Sequence, residues 1–313
     1  TAASTFTEIK ASAYFSKEAG EILFSGARQS LEEIYAQLEK DEVPKGFNMP
    51  VSVELSSKSE FKDVTSPNVI GLLEGSDPVL KHEYVVFTAH SDHIGLAKTV
   101  KKDKINNGAM DNASGTAVLL ETARMFSQMP APKRSILFVA VTGEEKGLLG
   151  SDYFANNPTV PIKSIVANIN LDMPLLLWDF MDVIAFGAQH SDLSKTVSDA
   201  AEKLGLKLTP DPWPEQAIFT RSDHYSFVKQ GVPSVFIAPG LATAESPDEG
   251  GKIFGEFFST KYHMPGDEFH DDFNDAAIKK FAEVNFMIGD VVSNQSNKPA
   301  WNKGDFFGDT FKQ

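Results

Sequence analysis

The sequence lacks cysteine entirely, since none of its 313 residues is one. Disulfide bridges and thiolate metal sites are therefore excluded, and any bound metal must be held by histidine, aspartate and glutamate side chains. Long hydrophobic runs are also missing, because no stretch approaches the run of about 20 apolar residues that a membrane-spanning helix needs. We therefore expect no membrane insertion.

Basic residues are in the minority. The chain has 29 lysine and arginine residues against 43 aspartate and glutamate residues, which gives a formal net charge of -14. An acidic surface repels nucleic acid and anionic membranes, so the charge argues against both as partners. The excess of carboxylates suits a protein that binds cations, although a solubilising acidic surface accounts for most of such a charge.

Strand and helix patterns alternate along most of the chain. Apolar residues spaced by three and four predict helix up to about residue 37, and the alternation of Val51, Val53 and Leu55 predicts a strand. Further on, apolar strands alternate with amphipathic helices, ending with a helix over residues 276–292. This alternation predicts an α/β fold with a central sheet covered by helices on both faces. We divide the chain into a helical and strand lead-in, residues 1–64, and a larger domain, residues 65–313.

Acidic and imidazole side chains are placed where predicted strands end or a helix begins. In α/β sheets, ligand sites gather at the carboxyl ends of the strands. Five segments share this placement or continue the pattern: His90-Ser91-Asp92-His93, Asp111-Asn112-Ala113-Ser114-Gly115, Glu144-Glu145-Lys146-Gly147, Leu171-Asp172-Met173 and Tyr262-His263-Met264-Pro265-Gly266-Asp267.

Each segment alone has an ordinary structural explanation. A histidine at a strand end can be a hydrogen-bonded structural residue, paired glutamates can form a solvated turn, and Asp111 can cap a helix. Adjacent carboxylates after an apolar strand, such as Glu144 and Glu145, are nevertheless costly unless a cation or another partner compensates them. The presence of all five segments in this order favours a metal site.

Together the segments resemble family twenty-eight of the metallopeptidases, which includes bacterial leucine aminopeptidases, glutamate carboxypeptidase and, as a divergent branch, glutaminyl cyclase. The resemblance covers about residues 65–292 and implies the zinc-exopeptidase fold, with a mixed, mostly parallel sheet, for the domain of residues 65–313. The matching motifs are His-x-Asp, Asp-Asn-x-Ser-Gly, Glu-Glu-x-Gly-Leu-x-Gly-Ser, Leu-Asp-Met and Tyr-His-x-Pro-x-Asp.

The resemblance implies two zinc ions per chain. His90 and Asp172 would hold one ion, Glu145 and His263 would hold the other, and Asp111 would bridge the two. All of these ligands offer nitrogen or oxygen, which suits zinc. The family also commonly has a cis peptide bond after the bridging aspartate, here between Asp111 and Asn112.

The same resemblance implies three catalytic roles. Glu144 would be the general base that takes a proton from water and returns it to the leaving amine. Asp92 would orient the imidazole of His90. Tyr262 would stabilise the oxyanion, as in carboxypeptidase relatives, or would only pack beside His263.

A further family segment, Ser222-Asp223-His224, lies near the substrate in relatives. Asp223 could therefore contact the substrate amine and His224 could line the pocket, while structural hydrogen-bonding roles fit both residues equally well. His93 is expected near the site without being a ligand, and Asp267 is expected to fix the loop that carries His263.

The expected function is that of a metal-dependent exopeptidase acting on peptides, with an aminopeptidase as the first hypothesis. A carboxypeptidase or dipeptidase of the same fold is the alternative. It would need cations to hold a free carboxylate, and Arg221 and Lys261 are available but form no clear cluster. A metal-free receptor-like domain is disfavoured by the complete ligand set, and glutaminyl cyclase is disfavoured because it needs only one zinc.

The resemblance also carries two expectations about context. We expect a secreted or periplasmic protein, and we expect a protease-associated domain to precede residues 1–64 in a longer precursor. The pattern specifies no oligomeric state, and the same ligands accept cobalt or manganese.

Overall fold

The first unit of the chain, Thr1–Val64, contains two short helices in its described part. The computed structural model describes residues 13–56, 58, 60, 62–97, 102–270 and 272–311, so the predicted helix over residues 1–12 lies outside the described residues. Helices α1 (Lys17–Leu23) and α2 (Leu31–Leu38) begin after Ser16 and Ser30, whose hydroxyls accept backbone N–H groups of the first turn. Such caps satisfy donors that have no partner within the helix.

The strand predicted over residues 51–55 is not formed, and that prediction was wrong. These residues have no regular secondary structure, and Val51, Val53 and Leu55 are between 41% and 52% exposed. A strand requires a neighbouring strand to accept its hydrogen bonds, and the described residues of this unit contain none. Alternation of apolar residues is therefore not sufficient by itself to form a strand in this unit.

The second unit, Thr65–Gln313, is built on a sheet of seven strands in its described residues. In chain order the strands are β1 (Val69–Leu73), β2 (Tyr84–His90), β3 (Ser135–Val141), β4 (Ile165–Asn170), β5 (Asp182–Phe186), β6 (Lys207–Thr209) and β7 (Ser234–Pro239). Their spatial order is β1-β3-β2-β4-β7-β5-β6. The β1–β3 and β5–β7 pairs are antiparallel and the other neighbouring pairs are parallel. The predicted mixed, mostly parallel sheet is confirmed.

Helices cover both faces of this sheet. Helices α3 (Gly115–Ser127), α5 (Leu193–Lys203) and α8 (Asp275–Asn294) pack together on one face, and α4 (Leu149–Asn156) and α6 (His224–Val228) pack together on the other. Two more helices are α7 (Glu249–Thr260) and α9 (Phe306–Thr310). Among the described residues, no helix combines the length and the apolar character that crossing a membrane would require.

Strand β2 shows why the sheet lies in the centre. Val85 and Phe87 belong to the same core cluster as Phe281 of α8, while Val86 belongs to the cluster that contains Phe154 of α4. Because side chains alternate between the faces of a strand, a strand with apolar residues on both faces must be covered on both.

The order of the central strands positions the functional residues. Strands β3, β2 and β4 are adjacent and parallel, so their carboxyl ends lie at the same edge of the sheet. His90 is the last residue of β2, Glu144 follows β3 by three residues, and Asp172 follows β4 by two. The order of the strands in the sheet therefore brings together side chains that are far apart in sequence.

Candidate metal centre

Three side chains meet at the ends of β2 and β4. His90 Nε2 lies 3.1 Å from Asp172 Oδ1 and 3.2 Å from Asp111 Oδ1. His90 and Asp111 are buried and Asp172 is half-buried, and their ligand atoms are close enough to hold one metal ion. This first cluster brings together the predicted ligands of one zinc ion and the predicted bridging residue.

The second oxygen of Asp111 faces another group of side chains. Asp111 Oδ2 lies 3.1 Å from His263 Nε2, and Glu145 Oε1 lies 3.3 Å from the same nitrogen. Asp111 thus lies between the two groups, with one carboxylate oxygen toward each. This is the placement that a bridging ligand requires.

His93 also belongs to the second cluster, more closely than the sequence suggested. Its Nδ1 lies 2.8 Å from Glu145 Oε1 and 3.9 Å from Asp111 Oδ2, and the three residues form a group that could hold a metal ion. The side chain is only 9% exposed. The sequence signal for this placement was its position directly after Asp92, at the same strand end as His90.

The donor atoms fit zinc. Two atoms bound tetrahedrally to one zinc ion at ~2.0–2.2 Å lie about 3.3–3.6 Å apart. The separations of 3.1–3.3 Å that join Asp111, His90, Asp172, His263 and Glu145 are close to that range. Imidazole nitrogen and carboxylate oxygen are also donors that zinc accepts in the absence of thiolates.

The environments of Glu144 and Glu145 shift the pKa values of these two side chains in opposite directions. Burial, followed by the nearby carboxylate of Asp172, raises the pKa of Glu144 to about 9. Burial acts in the same direction on Glu145, but its contacts with His263 and His93 outweigh it and lower the pKa of Glu145 to about 2. Neighbouring carboxylates with opposite shifts suit different roles, one as an ionised ligand and one as a group that exchanges protons.

Asp92 holds the site in a different way from the one predicted. Its main-chain oxygen, 3.1 Å away, accepts the hydrogen bond from His90 Nδ1, whereas its carboxylate is 3.8 Å from that nitrogen. The carboxylate instead accepts the backbone N–H of Glu144 at 3.2 Å. The expectation that the Asp92 side chain orients His90 is therefore corrected, because the backbone carbonyl is the nearer acceptor.

The segment that carries Asp111 is held from two sides. Asp267 accepts the backbone N–H groups of Met110 and Asp111 at 2.9 and 3.1 Å. The Asn112 side chain donates to the carbonyl of Leu171 at 3.0 Å, next to Asp172. The Asp111–Asn112 peptide bond is cis, as the resemblance implied. Asp267 thus ties the loop of His263 to the segment that carries Asp111.

Replacing Asp267 with asparagine is expected to weaken zinc binding about 10–100-fold, because an amide cannot accept both N–H groups as a carboxylate does. The melting temperature of the metal-free protein should fall as well. Titration calorimetry with zinc and thermal unfolding would measure the two effects. The control is Asp272→Asn, which removes the same charge from an exposed position of this loop. Equal zinc affinity in both variants would contradict the anchoring role.

A cavity of about 450 Å³ opens beside the clusters. Asp111, Glu144, Asp172 and His263 are among the residues that line it. Its other walls are mainly apolar and aromatic and include Trp178, Phe186, Trp213, Phe236, Phe254, Phe258 and Tyr262. A largely apolar cavity with a few convergent polar groups is the usual form of a small-molecule site.

Stacked rings form one wall of this cavity. Trp213, Phe254, Phe258, Tyr262 and His263 stack in this order, with centroid separations of 4.7, 5.2, 4.2 and 3.9 Å. Phe254 and Phe258 are four residues apart on α7 and so lie on the same helix face. Tyr262 therefore both packs on His263 and lines the cavity. Burial raises the pKa of the Tyr262 hydroxyl, which keeps its proton available for donation.

Asp223 and His224 are not placed as substrate contacts. Both are 0% exposed and neither lines the cavity. His224 Nε2 donates to the carbonyl of Phe219 at 2.7 Å, and burial lowers the pKa of His224 to about 4, which keeps it neutral. Burial also raises the pKa of Asp223 to about 7. For His224 the structure favours the structural hydrogen-bonding role. Asp223 lies away from the cavity, but its carboxylate oxygens have no hydrogen-bond partner among the described residues, so neither role is shown for it.

Ser222, treated in the sequence only as part of its segment, does reach the site. It lines the cavity, and its hydroxyl donates a hydrogen bond to Asp172 Oδ2 at 2.5 Å. The signal was its position directly before Asp223 in a segment that relatives place near the substrate.

Comparison with known proteins agrees with this geometry. The chain matches the sequence profile of Peptidase family M28 over residues 68–288. It is 33% identical over 182 residues to Aminopeptidase YwaD of Bacillus subtilis, which covers 56% of this chain and 36% of that protein. It is 25% identical over 266 residues to probable leucine aminopeptidase 2 of Aspergillus oryzae, which covers 80% of this chain and 50% of that protein.

A solved structure shares the fold. The zinc aminopeptidase BSAP from Bacillus subtilis superposes with a TM-score of 0.54 at 25% identity, over 74% of this chain and 51% of that chain. The chain spans half or less of the length of these curated relatives. The family match extends over most of the sequence and includes both clusters, from His90 to His263. The chain therefore belongs to peptidase family M28.

Proposed function

We propose that the protein is a zinc-dependent aminopeptidase that removes N-terminal residues from peptides and uses two zinc ions. The observation that carries the proposal is the position of Asp111 between two donor clusters, with Glu144 lining the same cavity. The similarity to Aminopeptidase YwaD and to the zinc aminopeptidase BSAP supports it.

Each cluster would hold one ion. His90, Asp111 and Asp172 would bind the first zinc, and Asp111, Glu145 and His263 would bind the second. Bound zinc polarises a peptide carbonyl and lowers the pKa of water to about 7.

Glu144 is the residue placed to move protons. It is half-buried, lines the cavity beside Asp111 and Asp172, and has its backbone N–H held by Asp92. Without metal its carboxyl, with a pKa of about 9, holds a proton at neutral pH, but zinc bound beside it would favour the ionised form. That carboxylate takes a proton from the water that attacks the peptide carbonyl carbon. It then returns that proton to the nitrogen of the leaving peptide as the C–N bond breaks.

Tyr262 and the acidic groups position the substrate. The protonated hydroxyl of Tyr262 lies at the wall next to His263 and donates to the oxygen that becomes negative during attack. The carboxylates of Glu144, Asp111 and Asp172 attract the positively charged amino terminus. The aromatic walls accept the side chain of the N-terminal residue, so apolar residues are preferred there.

A peptide with a free amino terminus is expected to be cleaved, and its N-acetylated copy is expected to be cleaved at least 100-fold more slowly. Acetylation removes the positive charge that the carboxylates attract and adds bulk to the amino terminus. Mass spectrometry of the products from the zinc-loaded protein would give both rates. Similar rates for the two peptides would remove the aminopeptidase assignment.

A carboxypeptidase or dipeptidase is the second candidate, and Arg221 is the observation that favours it. Arg221 is exposed and is one of the residues that line the cavity, where its guanidinium could hold a substrate carboxylate. The other candidate cation, Lys261, has its Nζ 3.6 Å from Asp272 Oδ2 instead. Peptides amidated at the C-terminus separate the two activities, because an aminopeptidase cleaves them and a carboxypeptidase does not.

A further inference from the structure

A chain of buried hydrogen bonds runs through the sheet to Asp172. Its side chains are at most 3% exposed and lie on β2, on β4 and just before α6. Asn168 Nδ2 lies 3.1 Å from Thr88 Oγ1, and Thr88 Oγ1 lies 2.6 Å from Asn170 Oδ1. Asn170 Nδ2 lies 2.8 Å from Ser222 Oγ, which lies 2.5 Å from Asp172 Oδ2.

The direction of every bond in this chain follows from the chemistry of its groups. An amide nitrogen only donates, so Thr88 accepts from Asn168 and must give its own proton to Asn170. Ser222 likewise accepts from Asn170 and gives its proton to Asp172. Each hydrogen bond from Asn168 to Asp172 is therefore donated in the direction of Asp172.

His224 fixes the orientation of the Asn170 amide. Its Nε2 donates to the carbonyl of Phe219, which leaves an unprotonated Nδ1 facing Asn170 Nδ2 at 3.5 Å. If the Asn170 amide were turned over, its oxygen would face that lone pair and repel it. Asn170 is therefore held from both sides, by Thr88 and by His224.

This chain of hydrogen bonds determines which oxygen of Asp172 is free to bind a metal ion. Oδ2 accepts the proton of Ser222, while Oδ1 faces His90 Nε2 at 3.1 Å. We propose that Asn170, held by Thr88 and His224, is a positioning residue that acts through Ser222 and makes Asp172 bind metal through Oδ1 alone. The proposal rests on the proposed function only in taking Asp172 as a metal ligand.

A purely structural role is the competing explanation, because the same bonds join β2 to β4. Removing such bonds would lower stability without changing how Asp172 binds a cation. The experiment therefore needs a measurement of the metal site itself. Cobalt(II), added alone to the metal-free full chain, reports both affinity and ligand geometry through its visible absorption.

Thr88→Val keeps the shape of the side chain and removes the hydroxyl, and Thr88→Ser keeps the hydroxyl. We expect Thr88→Val to weaken binding of the cobalt ion at the cluster of His90, Asp111 and Asp172 about 10–100-fold and to change the visible spectrum of that ion. Thr88→Ser should restore both to near the wild-type values. Wild-type affinity and spectrum in Thr88→Val, with only a lower melting temperature, would overturn the proposal.

Ser222→Ala provides a second variant in case Thr88→Val does not fold. It should weaken cobalt binding as much or more, because it removes the last donor of the chain. The double variant should bind no more weakly than Ser222→Ala alone, since both changes interrupt one chain. Additive losses would show that Thr88 acts independently of Ser222 and would overturn the inference. A wild-type protein that binds no cobalt would instead refute the proposed metal centre.

Discussion

Glu144→Gln is expected to lower kcat by at least about 10²–10⁴-fold while the zinc content stays at the wild-type level. Glu144 lines the cavity beside the clusters, but the close donor contacts there are made by its neighbour Glu145. Glutamine preserves the size of the side chain and cannot take a proton from water. KM should change little, because glutamine still fills the same position.

Steady-state kinetics and elemental analysis of one preparation would test this expectation. The matched control is Glu121→Gln, the same change at an exposed position of α3, which should leave both measurements unaltered. Loss of zinc together with activity would show that Glu144 is a ligand and that the general base lies elsewhere.

Asp111→Ala is expected to abolish detectable activity and to reduce binding of both zinc ions. The two carboxylate oxygens of Asp111 face different clusters, one toward His90 and the other toward His263. Removing it takes a ligand from each ion, and the loss of one close ligand typically costs far more than the 10–100-fold lost with a supporting residue.

Zinc titration of Asp111→Ala beside Asp172→Ala would separate a bridging residue from a ligand of one ion. Asp172→Ala should weaken one binding step and leave the other near the wild-type affinity. If Asp111→Ala also lost only one step, Asp111 would be an ordinary ligand, and the two-ion proposal would lose its central support.

The central strands could be predicted because their burial is written into the sequence. The nearly continuous apolar runs at residues 84–89, 135–142 and 165–171 predict strands, and β2, β3 and β4 end within one residue of them. Strands β5 and β6 were not predicted, and β6 is only three residues long. Short runs carry too little periodicity to be recognised.

Helix α7 was also missed, for a different reason. It contains Gly250, Gly251 and Gly255, and glycine disfavours helix by about 1 kcal/mol per residue relative to alanine. Tertiary packing overrides that preference, because Phe257 is buried in the main core and Phe254 packs against it. Such packing involves residues from distant parts of the chain and cannot be read from the local pattern.

The residues of the metal clusters lie in local sequence motifs, whereas the walls of the cavity depend on packing between distant residues. The predicted ligands could be found because each belongs to a short motif, most of them at a strand end, and strand order brings them together. For the cavity walls, the sequence indicates only that they come from loops between Asp172 and Phe257. Trp213 and Phe254 are 41 residues apart, and their stacking at 4.7 Å depends on how α7 packs. His93 shows the intermediate case, since its motif gave its region but not its contact with Glu145.

The phase of α7 sets the shape of the aromatic wall. Each residue advances an α-helix by about 100°, so deleting one residue between Phe254 and Phe258 would swing the second ring away from the first. The stack would break at that point, and the ring of Phe258, which also stacks on Tyr262 beside His263, would move with it. Changes of helix length in this segment would therefore alter which side chains fit the cavity and would also disturb the position of His263, which couples substrate choice to the donor atoms.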